Sequence, residues 1–315
     1  MDSRINKRQE KKKRKWPFWV AGIILGILLL IGLYLVYIYD KVGDTVDTMH
    51  EPLARDDNPE RQKEIDSIFS NTKSINILLL GVDERKNDKG RSDTMILMSL
   101  NPQTNAMKML SIPRDTYVDI PGRGMDKINH AYAFGDAGLS VQTVEQNFNV
   151  PVHFYVKVNM EGFKQGVDAL GGVTVTNDVE FSQGGEHFEK GEIHLNGEEA
   201  LKYIRKRKGM DGGDLSRNQR QREVIKAAIS EAASFSSITK VTNILEILGD
   251  NVTTNLQFEQ MQTLFTDYRK TRNNIDTMEI SGSGEILDDG IWYYMVPDEE
   301  MNRVTTEIKN HMNGQ

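Results

Sequence analysis

The chain has 315 residues, no cysteine, and 46 acidic against 39 basic side chains, for a formal charge of −7. Without cysteine it has no disulfide framework, no thiolate nucleophile and no cysteine-based metal site, so its stability rests on a hydrophobic core. The charge is uneven. Residues 1–15 carry eight Lys or Arg and a net +6, which leaves −13 on the rest of the chain and makes any later arginine cluster a departure from the trend.

The 24 residues Trp16 to Tyr39 contain no charged side chain. That length suffices to cross a hydrocarbon core of roughly 30 Å. Tyr34, Tyr37 and Tyr39 stand where a signal peptide would have its small-residue cleavage site, so the segment reads as an uncleaved anchor. The basic tail before it predicts a cytoplasmic N-terminus and an extracellular C-terminal part, a single-pass protein of the cell membrane. Residues 40–72 hold nine acidic and four basic residues with Pro52 and Pro59, and read as an extracytoplasmic stalk, extended or weakly helical. One large domain is expected over 73–315.

Within that domain the first strand candidates are Ile75 to Leu80, Thr94 to Leu100 and Ala106 to Ile112, the last two joined by the turn sequence Asn101-Pro-Gln-Thr-Asn105. Later strands are expected at His153 to Val158, Val173 to Thr176, Ile275 to Ser281 and Ile291 to Met295. Helices are expected at Ile128 to Phe134, Val141 to Phe148, Met160 to Leu170, Gly197 to Ile204, Leu215 to Ser234, Ile238 to Leu248, Phe258 to Tyr268 and Pro297 to Lys309. Alternating helices and strands with a hairpin predict an α/β fold, an α-β-α sandwich with a mixed central sheet, preceded by one transmembrane helix.

Three polar groups stand out. Lys202 to Arg222 packs eight Lys or Arg around Asp211 and Asp214, a density that calls for an anionic partner, and arginine forks suit phosphate oxygens. Arg217 and Gln221 share a helix face, with Asp214 one turn before them. Asp214 as a helix cap and the arginines as a solvated face are the competing structural reading. Asp83 and Asp93 flank the first two strands at ends where binding loops gather, and a carboxylate pair without cysteine suits Mg²⁺. Arg114 and Asp115 follow Pro113 at the exit of the third strand, and Lys127 opens the expected helix, reaching an anion or snorkelling.

Together, Asn76-Ile-Leu-Leu-Leu-Gly-Val-Asp83, Arg91-Ser-Asp-Thr94, Ser111-Ile-Pro-Arg-Asp115, Lys127-Ile-Asn-His-Ala-Tyr132, Arg205-x-Arg207 and Asp214-x-x-Arg217-x-x-Arg220-Gln221 closely resemble the LytR-CpsA-Psr family, in order from about Lys73 to Ala228. The resemblance implies a phosphotransferase that moves an anionic glycopolymer, such as wall teichoic acid, from a polyprenyl pyrophosphate carrier to an N-acetylmuramic acid hydroxyl of peptidoglycan, releasing polyprenyl phosphate. It implies Mg²⁺ or Mn²⁺ on Asp83 and Asp93. The pyrophosphate would lie among Arg91, Arg114, Lys127, Arg205, Arg207, Arg217, Arg220 and Gln221. Asp214 would be the general base, with Arg114 and Arg217 the other catalytic residues. Gly135-Asp136 stands where family members often have a glycine pair. The carrier lipid calls for an apolar groove, for which the helices at Met160 to Leu170 and Leu215 to Leu248 are candidates. Nucleic acid is not an expected partner, because the basic tail and the arginine cluster lie on opposite sides of the expected membrane span.

Overall fold

The computed structural model describes residues 48–84, 90–206, 213–234, 244, 247–249 and 251–315, excepting the side chains of 213–215, 233 and 234. The basic tail, the expected membrane span, Arg207 and most of the helix expected at Ile238 to Leu248 lie outside the described residues. Among those described, no helix is long and apolar enough to cross a membrane.

The stalk expectation is corrected from Thr48 onward. Helix α1 (Pro59–Ser70) starts with Pro at its first position and the Asn58 side chain accepting from the Glu60 amide, and it buries Ile65 and Ile68. Met49 is buried as well, His50 bridges to Thr254, and Arg55 pairs with Glu145 at 2.6 Å. Two isoleucines three apart in a charged segment are too faint a stripe to announce a packed helix.

Strand β1 (Ile75–Val82) alternates its burial between two cores. Leu78, Leu80 and Val82 enter one, while Ile75, Ile77 and Leu79 enter the other. A strand covered on both faces therefore reads as a continuous apolar run. Each fully buried Leu or Ile here contributes about 1.5–3 kcal/mol. β1 pairs antiparallel with β2 (Ser92–Asn101), which continues through the expected turn into β3 (Ala106–Ser111). A short hairpin follows, β4 (Tyr117–Ile120) and β5 (Gly124–Lys127), so Lys127 ends a strand instead of opening a helix.

Helix α2 (His130–Phe148) joins the two helices expected there across a kink. Gly135 and Asp136 are both non-helical, and Asp136 takes φ 54°, ψ −153°. This is left-handed backbone that favours glycine. Next come β6 (Phe154–Asn159), which runs parallel to β1, and α3 (Met160–Ala169), which starts directly from it. β7 (Val173–Asn177) pairs with β10 (Gly191–Leu195), and β8 (Phe181–Gln183) with β9 (Glu186–Phe188). Helix α4 (Gly197–Arg205) opens on a capping box of Asn196 and Glu199. The long helix α5 (Gly213–Ser234) follows.

The order in the main sheet is β11 (Val252–Thr254), β6, β1, β2, β3, β12 (Ile275–Met278), with both parallel and antiparallel neighbours. Helix α6 (Phe258–Asp267), α1 and α5 supply side chains to the core on one face of that sheet. Beyond β12 lie a hairpin, β13 (Ser283–Ile286) and β14 (Trp292–Met295), and helix α7 (Asp298–Met312), which packs with α2 on the other face. The expected mixed α-β-α sandwich is the observed arrangement.

Candidate active site

The cavity that gathers the sequence-singled residues opens at the ends of β1, β2 and β6. It measures about 570 Å³ and is lined by Asp83, Asp93, Thr94, Asn159, Gln183, Arg205, Arg217 and Gln221 beside an apolar wall. Leu79, Val82, Val158, Met160, Phe163, Leu201, Ile204 and Ile225 make that wall, which includes side chains of α3 and α5, the helices expected to border a lipid groove.

Local backbone geometry brings the carboxylates in. The β1–β2 register pairs Gly81 with Thr94 and Val82 with Ser92, which leaves Asp93 as the extra residue of a β-bulge. A bulge re-aims the side chain it carries, and here consecutive residues Asp93 and Thr94 both reach the cavity. Asp83 lies one residue past β1, its amide donating to the Arg91 carbonyl at 3.3 Å. Gly90 completes this loop at φ 66°, where an added Cβ would stand 2.2 Å from the Asp83 carbonyl oxygen. Only glycine fits that close approach.

A row of alternating charges backs the Asp93 wall. Arg114 Nη1 meets Asp93 Oδ1 at 2.5 Å and its Nε meets Asp115 Oδ2 at 3.3 Å, while Lys127 Nζ holds Asp115 Oδ1 at 2.8 Å. Neither Arg114 nor Lys127 lines the cavity; Arg114 braces Asp93, and Lys127 braces Asp115 one step further out. The Arg91 side chain is exposed and does not line it either, although its backbone closes the Asp83 loop.

Helix α5 divides its arginines by face. Arg217, Gln221 and Ile225, spaced by four, line the cavity, and Arg217 is buried there. Arg220 faces elsewhere, which corrects its expected place among the phosphate ligands. It donates from Nε to the Tyr203 carbonyl at 3.1 Å and from Nη2 to the Lys206 carbonyl, and its guanidinium stands 5.4 Å from the centre of the Phe181 ring. It thus satisfies carbonyls at the C-terminal end of α4. Burial lowers its pKa, and burial likewise raises that of Glu223 on the same helix. Arg222 donates to Ser111 Oγ at 3.1 Å and pairs with Glu279, tying α5 to the sheet.

Arg205 ends α4 at the cavity, with its guanidinium against Met160 Sδ. Asp214 falls in the first turn of α5, and its side chain lies outside the described residues. Asn159, Thr94 and Gln183 were not anticipated. Asn159 had a readable signal, since its side chain caps α3 by accepting from the Gly162 amide at 2.8 Å. Among the described residues no cluster of three or more His, Cys, Asp or Glu is placed to hold a metal, so a divalent ion here depends on the Asp83 and Asp93 pair. Two carboxylates on one cavity wall fit Mg²⁺, which completes its shell with water and phosphate oxygens.

The LytR_cpsA_psr family profile matches residues 36–310. The chain belongs to this family. As a LytR-CpsA-Psr protein it is 60% identical, over 100% of both chains, to the polyisoprenyl-teichoic acid–peptidoglycan teichoic acid transferase TagU of Oceanobacillus iheyensis. It also resembles the crystal structure of B. subtilis TagU, at 43% identity and TM-score 0.62, covering 76% of this chain and 97% of that one. A structure of TagT bound to LIIa-WTA aligns at 34% identity and TM-score 0.72, covering 84% of this chain and 100% of that one. The family shares the mixed-sheet sandwich, and the cavity of this member lies at the sheet's strand ends.

Proposed function

We propose that this protein is a membrane-anchored phosphotransferase that moves an anionic glycopolymer, such as wall teichoic acid, from a polyprenyl pyrophosphate carrier to an N-acetylmuramic acid hydroxyl of peptidoglycan. The observation that carries this reading is the union, in one cavity, of an apolar wall with a mouth of paired carboxylates and arginines. Such a space matches a ligand that is lipid at one end and pyrophosphate at the other. The transferase relatives named above support the same reaction.

In this mechanism the apolar wall holds the carrier chain while Arg205, Arg207, Arg217 and Gln221 hold the pyrophosphate oxygens. Asp83 and Asp93 would hold Mg²⁺, which would supply charge neutralisation to those oxygens. The acceptor hydroxyl attacks the phosphorus that bears the polymer, a new P–O bond forms to the sugar, and the bridging P–O bond breaks to release polyprenyl phosphate. Asp214 takes the hydroxyl proton. Phosphoryl transfer asks the protein mainly for charge neutralisation and in-line positioning, and fixed guanidinium groups supply both. Arg114 acts through Asp93 by keeping that carboxylate at the wall.

Residues 16–39 serve as the membrane helix, with 1–15 cytoplasmic and the domain outside. The full chain with Mg²⁺ and a polyprenyl pyrophosphate-linked glycopolymer should release polyprenyl phosphate and load peptidoglycan. A folded chain that leaves an authentic donor unconsumed would refute the assignment.

A further inference from the structure

Three of the seven large apolar side chains exposed among the described residues, Ile286, Ile291 and Trp292, belong to the β13–β14 hairpin. The register pairs Ile286 with Trp292 and Gly284 with Tyr294, which puts these four positions on one face. The Trp292 indole lies across Gly284, where an added Cβ would meet Nε1 at 2.4 Å and Cζ2 at 2.6 Å. Tyr294 stands beside it, ring centres 6.5 Å apart, with its hydroxyl donating to the Ile280 carbonyl at 2.9 Å. On the opposite face Tyr293 is buried edge-on to Tyr117 at 4.7 Å, and its hydroxyl donates to Asp289 Oδ2 at 2.7 Å. The aromatic face is therefore held from beneath while 43% of Trp292 remains exposed.

The edge of β14 adjoins the row that supports the cavity wall. The Tyr294 amide donates to the Asp115 carbonyl at 2.9 Å, Asp115 and Arg114 are neighbours in sequence, and Arg114 grips Asp93. Charge selects what lies on the face. Residues 273–302 contain eight Asp or Glu and no Lys or Arg. Asp276, Glu279 and Glu300 pair with Lys108, Arg222 and Arg303, and Lys127 stands over the Tyr293 ring, which leaves Glu285, Asp288, Asp289, Asp298 and Glu299 to keep the hairpin region net negative. That field repels an anionic bilayer surface and an anionic polymer alike. It suits an uncharged polyhydroxylated chain, whose sugar C–H groups pack on an indole face.

We propose that the outer face of the β13–β14 hairpin is the seat of the acceptor glycan strand, presenting its hydroxyl toward the Asp93–Arg114 end of the cavity. This rests on the function proposed above and names where the second substrate binds.

The test uses the full chain reconstituted in phosphatidylglycerol vesicles, with authentic lipid-linked donor and purified polymer-free peptidoglycan fragments. Trp292→Ala should raise the acceptor concentration for half-maximal transfer about tenfold and leave the donor concentration dependence unchanged. Trp292→Phe should recover most of that loss, and Gly284→Ala, whose methyl displaces the indole, should shift the acceptor dependence in the same direction as Trp292→Ala. In a Trp16→Phe, Trp19→Phe background Trp292 is the sole indole. Its emission should respond to the fragments and resist quenching by brominated lipid. An unchanged acceptor dependence in Trp292→Ala overturns the proposal while transfer by the parent chain leaves the functional assignment standing. Quenching by brominated lipid also overturns it, giving the face to the bilayer. A parent chain that transfers to no acceptor refutes the functional assignment instead.

Discussion

Arg217 and Arg220, three residues apart on α5, should fail in opposite ways when truncated. Arg220→Ala removes a buried guanidinium and leaves the Tyr203 and Lys206 carbonyls without their donor. Each orphaned acceptor costs about 1–3 kcal/mol, and the lost ring and packing contacts add about 1 kcal/mol, for a total of about 3–7 kcal/mol. That is a large fraction of a typical domain's stability. Arg217→Ala instead clears a cavity wall and should cost little stability, while lowering the transfer rate about 10²–10³-fold through lost charge stabilisation. Chemical denaturation of both variants, followed by circular dichroism, combined with polyprenyl phosphate release at a temperature where both are folded, separates the two effects. If Arg220→Ala unfolds with the midpoint of the parent chain but has lost turnover, the assignment of Arg220 to the α4 terminus is refuted.

Asp136→Gly should stabilise the domain by about 1 kcal/mol, since the φ of 54° at the α2 kink strains any side chain, and thermal unfolding reads the gain. Gly90→Ala forces a methyl against the Asp83 carbonyl, so the Mg²⁺ concentration needed for half-maximal activity should rise at least tenfold, as a metal titration would show. Burial, reinforced by Arg61, lowers the pKa of His153 from 6.5 to about 4, and its Nδ1 accepts from the Asn76 amide at 2.9 Å. Between pH 6.5 and 4 the unfolded chain therefore binds the additional proton. The stability His153 contributes is complete above pH 6.5 and declines by up to about 3 kcal/mol as pH falls through that window. Urea titrations at pH 7 and pH 4.5 should show this slope in the parent chain and a shallower one in His153→Gln.

Much of the fold was legible because local patterning and tertiary demand coincide. The run Ile75 to Leu80 and the turn at Pro102 state their elements in short sequence windows. The hairpins β4–β5 and β8–β9 and the strand β13 were missed because these strands are three or four residues long and mostly polar outside the contacts they make, whereas β14 falls within the strand expected at Ile291 to Met295. α1 was missed because its apolar stripe is short, Ile65, Ile68 and Phe69, and its docking depends on contacts with side chains distant in sequence.

For the site, residue type and order carry the expected chemistry. Carboxylates at strand ends and a dense arginine helix define a phosphate-binding pattern through side-chain type and order alone. The four-residue spacing also assigned Arg217 and Gln221 to a common face. Which face of α5 opens on the cavity and which is buried against α4 was decided only by the tertiary structure. Helical periodicity fixes relative directions around an axis, whereas the neighbours that a face meets depend on how the chain returns over the sheet. The same holds for Asp93, which the β-bulge turns toward the cavity, and for Arg114, which the return of β3 brings beside it.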